Sequence, residues 1–221
     1  GKIENTTQSW IATTWTEFER ALARMYANGL TKYNNSEEYR MYDGLTREEA
    51  AKIFAQAYNV LGYPKEIKNT NCSFKDKSTF NPELLPFIEN VCQRWIIKGF
   101  NNTYMAQKKL TRPEAMAILI RMFEGKTSFE KKDPRWADYY IKGKALGLTT
   151  LENNNFEKEI SRYEIALYIY RLQTIINDPL RKIQWQTILQ NLTWITETTE
   201  NIWTGNTETP SDLVQKFAAI A

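Results

Sequence analysis

An all-α fold of three helix-loop-helix repeats followed by a C-terminal helical extension is predicted from three observations. The first is a recurring segment: Leu45-Thr46-Arg47-Glu48-Glu49-Ala50, Leu110-Thr111-Arg112-Pro113-Glu114-Ala115 and Ile160-Ser161-Arg162-Tyr163-Glu164-Ile165. Each reads apolar, hydroxyl, arginine, any residue, glutamate, apolar. Recurrence within one chain is the mark of a repeat architecture, and the unequal intervals place insertions in the loops. The second observation is that apolar residues recur at helical spacing after each segment. The third is composition: 42% hydrophobic and 25% charged residues in 221 are near the averages of a globular protein with a packed core.

The elements follow in order. The first helix is expected to start near Thr14 or Thr16 and to end at Gly29-Leu30-Thr31-Lys32-Tyr33. A polar loop, residues 34–44, leads to the first box. Ser/Thr with Glu three residues later is a capping box, in which hydroxyl and carboxylate each satisfy a backbone N–H at the helix start. The helix it opens carries Ala50, Ile53, Phe54, Ala57, Tyr58 and Leu61 on one face and meets a stop at Gly62. In the second unit Asn81-Pro82 signals a helix start, with a polar cap before a proline of fixed φ. Trp95-Ile96-Ile97-Lys98-Gly99 ends that helix, and residues 101–109 form the loop. The box helix carries Ala115, Ile118, Leu119, Met122 and Phe123 and stops at Gly125. The third unit repeats the order with Asp133-Pro134, Gly147-Leu148-Thr149-Thr150-Leu151, a loop at 152–159, and Ile165, Tyr168, Ile169 and Leu172. The repeats span about 10–62, 73–125 and 128–176 of a domain at 10–178. Residues 179–221 form a helical extension, with Ile183, Trp185, Ile188, Leu192 and Ile195 as its apolar positions.

Composition excludes several chemistries. The chain has no histidine, which removes Ser-His-Asp triads, Cys-His dyads and imidazole-ligated metals. Phosphate-loop, dinucleotide, zinc and calcium-loop patterns are absent. No enzymatic activity and no cofactor are expected. Twenty-nine basic against twenty-six acidic residues give +3, too balanced to indicate nucleic acid. The longest apolar run, Ile165 to Tyr170, falls far short of the roughly 20 residues a membrane helix needs. The chain opens at Gly1 on a polar stretch, as a mature or excised form would, so no compartment is read from its start. Cys72 and Cys92 are read as free thiols, with a disulfide as the alternative outside the cell; spacing does not show that they meet.

Arg47, Arg112 and Arg162 are the candidate binding residues. An arginine in the first turn opposes the helix dipole, so its recurrence suggests a use. The free N–H groups there favour anions, and guanidinium can clamp a carboxylate with two hydrogen bonds. The structural alternative is that each arginine pairs with a nearby Glu or caps a neighbouring unit's carbonyls. Tyr33, Tyr39, Tyr42 and Tyr104 fall in the loops, and Tyr33, Tyr42 and Tyr104 are taken as ligand contacts. Trp95 and Trp136 are expected in the core. Asp43, Glu48 and Glu49 are read as ordinary charges at a helix start rather than an acid/base pair.

These residues resemble the S-layer homology (SLH) domain. Phe74-x-Asp76, Trp136-Ala137, the Trp95-Ile96-Ile97-Lys98-Gly99-Phe100 turn and the three Thr/Ser-Arg-x-Glu boxes match its usual run, over roughly residues 10–175. The family's Gly-x-Phe-x-Pro loop is missing from all three units, and its opening glycine is Trp95 in the second. The resemblance implies a pseudo-threefold helical prism with grooves between adjacent repeats. It also implies a cell-surface module that holds exported proteins on the envelope by binding secondary cell-wall polysaccharide with pyruvyl ketals. Arg47, Arg112 and Arg162 would be the carboxylate clamps, removable without unfolding. The expected partner is a carboxylate-bearing polysaccharide, with no membrane insertion. The alternative is a protein-interaction scaffold of the same fold, binding another envelope protein after losing the glycan.

Overall fold

The computed structural model describes residues 15–61, 71–124, 136–149 and 158–178. Seven α-helices occur among them: α1 (Trp15–Ala27), α2 (Ser36–Tyr39), α3 (Arg47–Val60), α4 (Leu85–Gln93), α5 (Arg112–Glu124), α6 (Trp136–Ala145) and α7 (Arg162–Ile176). The described residues contain isolated bridges but no strands, so the fold is all-α. Gly62, Gly125, Asp133-Pro134, the Trp136 side chain, most of loop 152–159 and the extension at 179–221 lie outside the described residues.

All three capping boxes form. The Glu49 N–H donates to Thr46 Oγ1 (3.2 Å) while Glu49 Oε2 accepts from Thr46 N (2.8 Å). Ser161 and Glu164 do the same at 3.3 and 2.9 Å. Thr111 and Glu114 follow at 3.5 and 2.9 Å. A cap of this kind is worth about 1 kcal/mol.

The first helices of the units also end alike. Leu30 N reaches Met25 O (2.8 Å), Ile96 N reaches Val91 O (2.9 Å) and Leu148 N reaches Gly143 O (2.9 Å). This is the Schellman closure, which needs a left-handed residue at the turn. Gly29 (φ 70°), Trp95 (φ 61°) and Gly147 (φ 70°) occupy that position. Nothing lies within 4 Å of where a Cβ on Gly29 would stand. Gly29→Ala is therefore expected to cost about 1 kcal/mol through the backbone alone, read as a lower urea midpoint at unchanged slope.

Packing crosses between units. The second helix of each unit packs on the first helix of the next: α3 on α4, α5 on α6, and α7 back on α1. Backbone bridges follow the same cycle, joining Thr46 to Lys109, Thr111 to Glu159 and Ser161 to Gly44. Arg171 ties α7 to α1 through both Glu17 carboxylate oxygens (2.8 and 3.1 Å). Helices that bury one face each must share a core, and one cluster runs through all three units, with Phe18, Phe54, Ile88, Leu119, Tyr139 and Tyr168 fully buried.

Several expectations are corrected. Cys72 and Cys92 form a disulfide (Cα–Cα 5.9 Å), not two free thiols. The bond joins the segment before Asn81 to α4, a tertiary proximity that spacing does not carry. Trp95 is not core but 39% exposed, because its left-handed backbone turns the chain away at the end of α4. Loop 34–44 contains the short helix α2, capped by the Asn35 side chain on Glu38 N (2.9 Å). Asn81 caps a preliminary turn, its Oδ1 accepting from Glu83 N (3.0 Å), and α4 proper begins at Leu85.

Candidate functional site

The three box arginines differ in their surroundings. Arg47 is buried, and each of its guanidinium nitrogens is used. Nε donates to Tyr104 O (2.9 Å), Nη2 to Lys98 O (2.9 Å) and Nη1 to Glu114 Oε1 (3.0 Å). Arg112 is also buried and grips Glu164 through Nε (2.7 Å) and Nη2 (3.3 Å). In each case the carboxylate belongs to the next unit's capping box. That glutamate therefore caps its own helix and ties it to the preceding unit. Arg162 is half-buried and donates from Nε to Tyr39 O (2.9 Å). Among the described residues it has no ion-pair partner, so the arginine-to-carboxylate series is made at two junctions of three.

Tyr39 and Tyr104 support these arginines in the same way. Tyr104 Oη donates to Arg47 O (3.1 Å), and its ring lies under the guanidinium at 5.2 Å. Tyr39 Oη donates to Arg162 O (2.9 Å), with its ring at 5.1 Å. Burial pushes both phenols well above their ordinary range, against the pull of the adjacent arginine. Tyr104, expected as a ligand contact, is fully buried and offers a ligand nothing. Tyr33 is half-buried beneath Lys32, whose Nζ is 5.1 Å from the ring centre. Tyr42 is exposed. Neither lines the cavity described next.

A cavity of about 330 Å³ opens beside Arg47, between the end of α4, the start of α5 and Tyr139 of α6. Among the described residues Arg47, Lys98, Lys108 and Arg121 line it together with one carboxylate, Glu114. Arg121 is fixed by Ile96 O (3.0 Å) and lies over the Tyr139 ring. Lys108 is exposed, with its Nζ 3.5 Å from Glu114 Oε1. Phe100, 59% exposed, and Met105 form an apolar wall at the same cavity. Cationic side chains beside an apolar face are an arrangement that suits a ligand carrying a carboxylate on a flat apolar body.

The acidic residues at the first box are all engaged. Glu48 is buried and accepts from Asn81 N (3.0 Å) and Gln107 Nε2 (2.7 Å). Asp43 pairs with Arg40 (3.3 Å), and Glu49 caps α3. Glu164 is fully buried; burial pushes its carboxyl up, against Arg112 and the Ser161 donors. Among the described residues no cluster is placed to hold a metal ion, and no helix is long and apolar enough to cross a membrane.

Lys98, Phe100, Lys108 and Arg121 were not singled out from the sequence. One signal was available: Arg121 and Arg171 stand at the same offset after their box arginines, and each reaches the carbonyl of the residue after its unit's left-handed turn position, Ile96 or Leu148. A scan against protein-family models finds no match for the chain, and a search of curated proteins finds none.

Proposed function

We propose that the chain is a non-catalytic cell-envelope anchoring module of SLH type, its cyclic helix pairing forming a pseudo-threefold prism and its inter-unit grooves binding a carboxylate-bearing wall polysaccharide. The observation that carries this reading is the cavity lined by Arg47, Lys98, Lys108 and Arg121 together with exposed Phe100. A carboxylate entering there meets Lys108, while Phe100 offers a face to the attached ring. Arg162, with no acid partner among the described residues, supplies a second anion contact at the junction of the third and first units. Weak sites on one polymer reinforce each other through effective concentration. The disulfide agrees with an extracellular location, since such bonds persist in oxidising compartments.

A second reading, a protein-interaction scaffold that has lost glycan binding, is favoured by one observation. Arg47 and Arg112 are already occupied by Glu114 and Glu164. Lys108 separates the two readings, because its exposed side chain can be removed without opening a buried pair. Lys108→Ala is expected to weaken binding to isolated acidic wall polysaccharide at least tenfold, with unchanged circular dichroism. Unchanged binding would remove this cavity from the account.

A further inference from the structure

The wall of the cavity is held by a segment that does not line it. Asp76 accepts from two consecutive backbone N–H groups: Tyr104 N (2.9 Å to Oδ1, 3.2 Å to Oδ2) and Met105 N (2.7 Å to Oδ2). Met105 has φ 59°, a left-handed conformation that a side chain disfavours, and the carboxylate holds it there. Lys75 N adds a bond to Asn102 O (2.8 Å). Phe74 packs its ring against Tyr104 at 5.3 Å and lies so close to Gly99 that a Cβ there would stand 2.6 Å from it. Tyr104 in turn presents its carbonyl to Arg47 Nε (2.9 Å). Residues 74–76 therefore fix Gly99, Met105 and Arg47, all of which line the cavity.

The disulfide anchors this segment. It joins Cys72 to Cys92 on α4, the helix whose closing turn supplies Lys98 and Phe100. In the first unit the matching left-handed residue, Arg40, is held differently: its N–H bonds to Glu37 O (3.0 Å) at the end of α2. We propose that residues 72–76 are a strap that sets the shape of the cavity, with Asp76 as the positioning residue, and that ligand binding there depends on the Cys72–Cys92 bond. A dithiol would release it: the S–S bond breaks, two electrons and two protons form two thiols, and the dithiol becomes its own disulfide. The binding half of this proposal rests on the reading of the cavity as an anion site.

The test combines amide hydrogen exchange with binding of polygalacturonate, a carboxylated polysaccharide, on the full chain before and after dithiothreitol. Reduction is expected to speed exchange at Tyr104 and Met105 at least tenfold more than at Arg40 or Leu61, and to weaken binding at least tenfold. Asp76→Ala in the oxidised protein is expected to reproduce both effects, and it keeps the test open if the reduced protein unfolds. Exchange at Tyr104 and Met105 that changes no more than at Arg40, in both cases, would overturn the strap. Freed amides with unchanged affinity would overturn its link to binding. If the oxidised protein does not bind polygalacturonate at all, the anion-site reading fails, while the exchange data still decide the strap.

Discussion

Replacing Arg112 by alanine is expected to destabilise the fold by about 3–5 kcal/mol, the loss typical of a buried ion pair with one partner removed. Arg112 is buried and Glu164 is fully so, with the guanidinium held against both carboxylate oxygens at 2.7 and 3.3 Å. In the variant the carboxylate keeps only Ser161 N (2.9 Å), Ser161 Oγ (3.0 Å) and Tyr168 Oη (3.2 Å) as donors. In a chain of this size the melting temperature should fall by roughly 10 °C. The pH dependence gives a second check. Burial already raises the Glu164 carboxyl, and loss of the cation raises it further. A carboxyl that titrates higher folded than unfolded favours the folded state when protonated. The variant should therefore recover stability below the ordinary carboxylate range and lose it as pH rises through the folded value. A double variant, Arg112→Met with Glu164→Gln, should recover much of the loss, because no uncompensated charge remains. If Arg112→Ala melts like the parent, the pair does not hold the second and third units together.

Gly99→Val is the next largest expected effect. A Cβ at Gly99 would stand 2.5 Å from Thr103 O and 2.6 Å from the Phe74 ring. Thr103 belongs to a tight turn, its N–H and carbonyl paired with Phe100 at 2.9 Å each, so the clash falls on backbone that cannot swing aside. Overpacking of this kind costs about 1–3 kcal/mol. It also pushes Phe100 and the Tyr104–Met105 wall, so binding at the cavity should fall at least tenfold even where the fold survives. Urea denaturation and polysaccharide binding measured on the same sample check both parts. A variant of parental stability and affinity would mean that the turn yields freely.

The three box helices and their starts were legible in the sequence because a capping box is local. Thr46, Thr111 and Ser161 with their glutamates are capping boxes in the sequence and in the structure. What was not legible depends on which units meet. Arg47 reaches Glu114 and Arg112 reaches Glu164 because each second helix packs on the following unit, a pairing that no spacing within one box reveals. The structural alternative kept for the arginines, a Glu partner and a neighbouring unit's carbonyls, describes Arg47 well. Tyr104 read as a loop tyrosine and is buried, because its hydroxyl finds Arg47 O. Asp76 was visible only as part of a Phe-x-Asp run; its role appears once Tyr104 and Met105 are brought to it.

The most direct measurement is a pull-down of the purified chain with isolated cell-wall material, before and after chemical removal of the acidic polysaccharide. Binding that disappears with the polysaccharide is the expected result and supports an anchor acting through its cationic grooves. Full-strength binding to the stripped wall, or none to either, would contradict it and leave a protein partner as the reading to pursue.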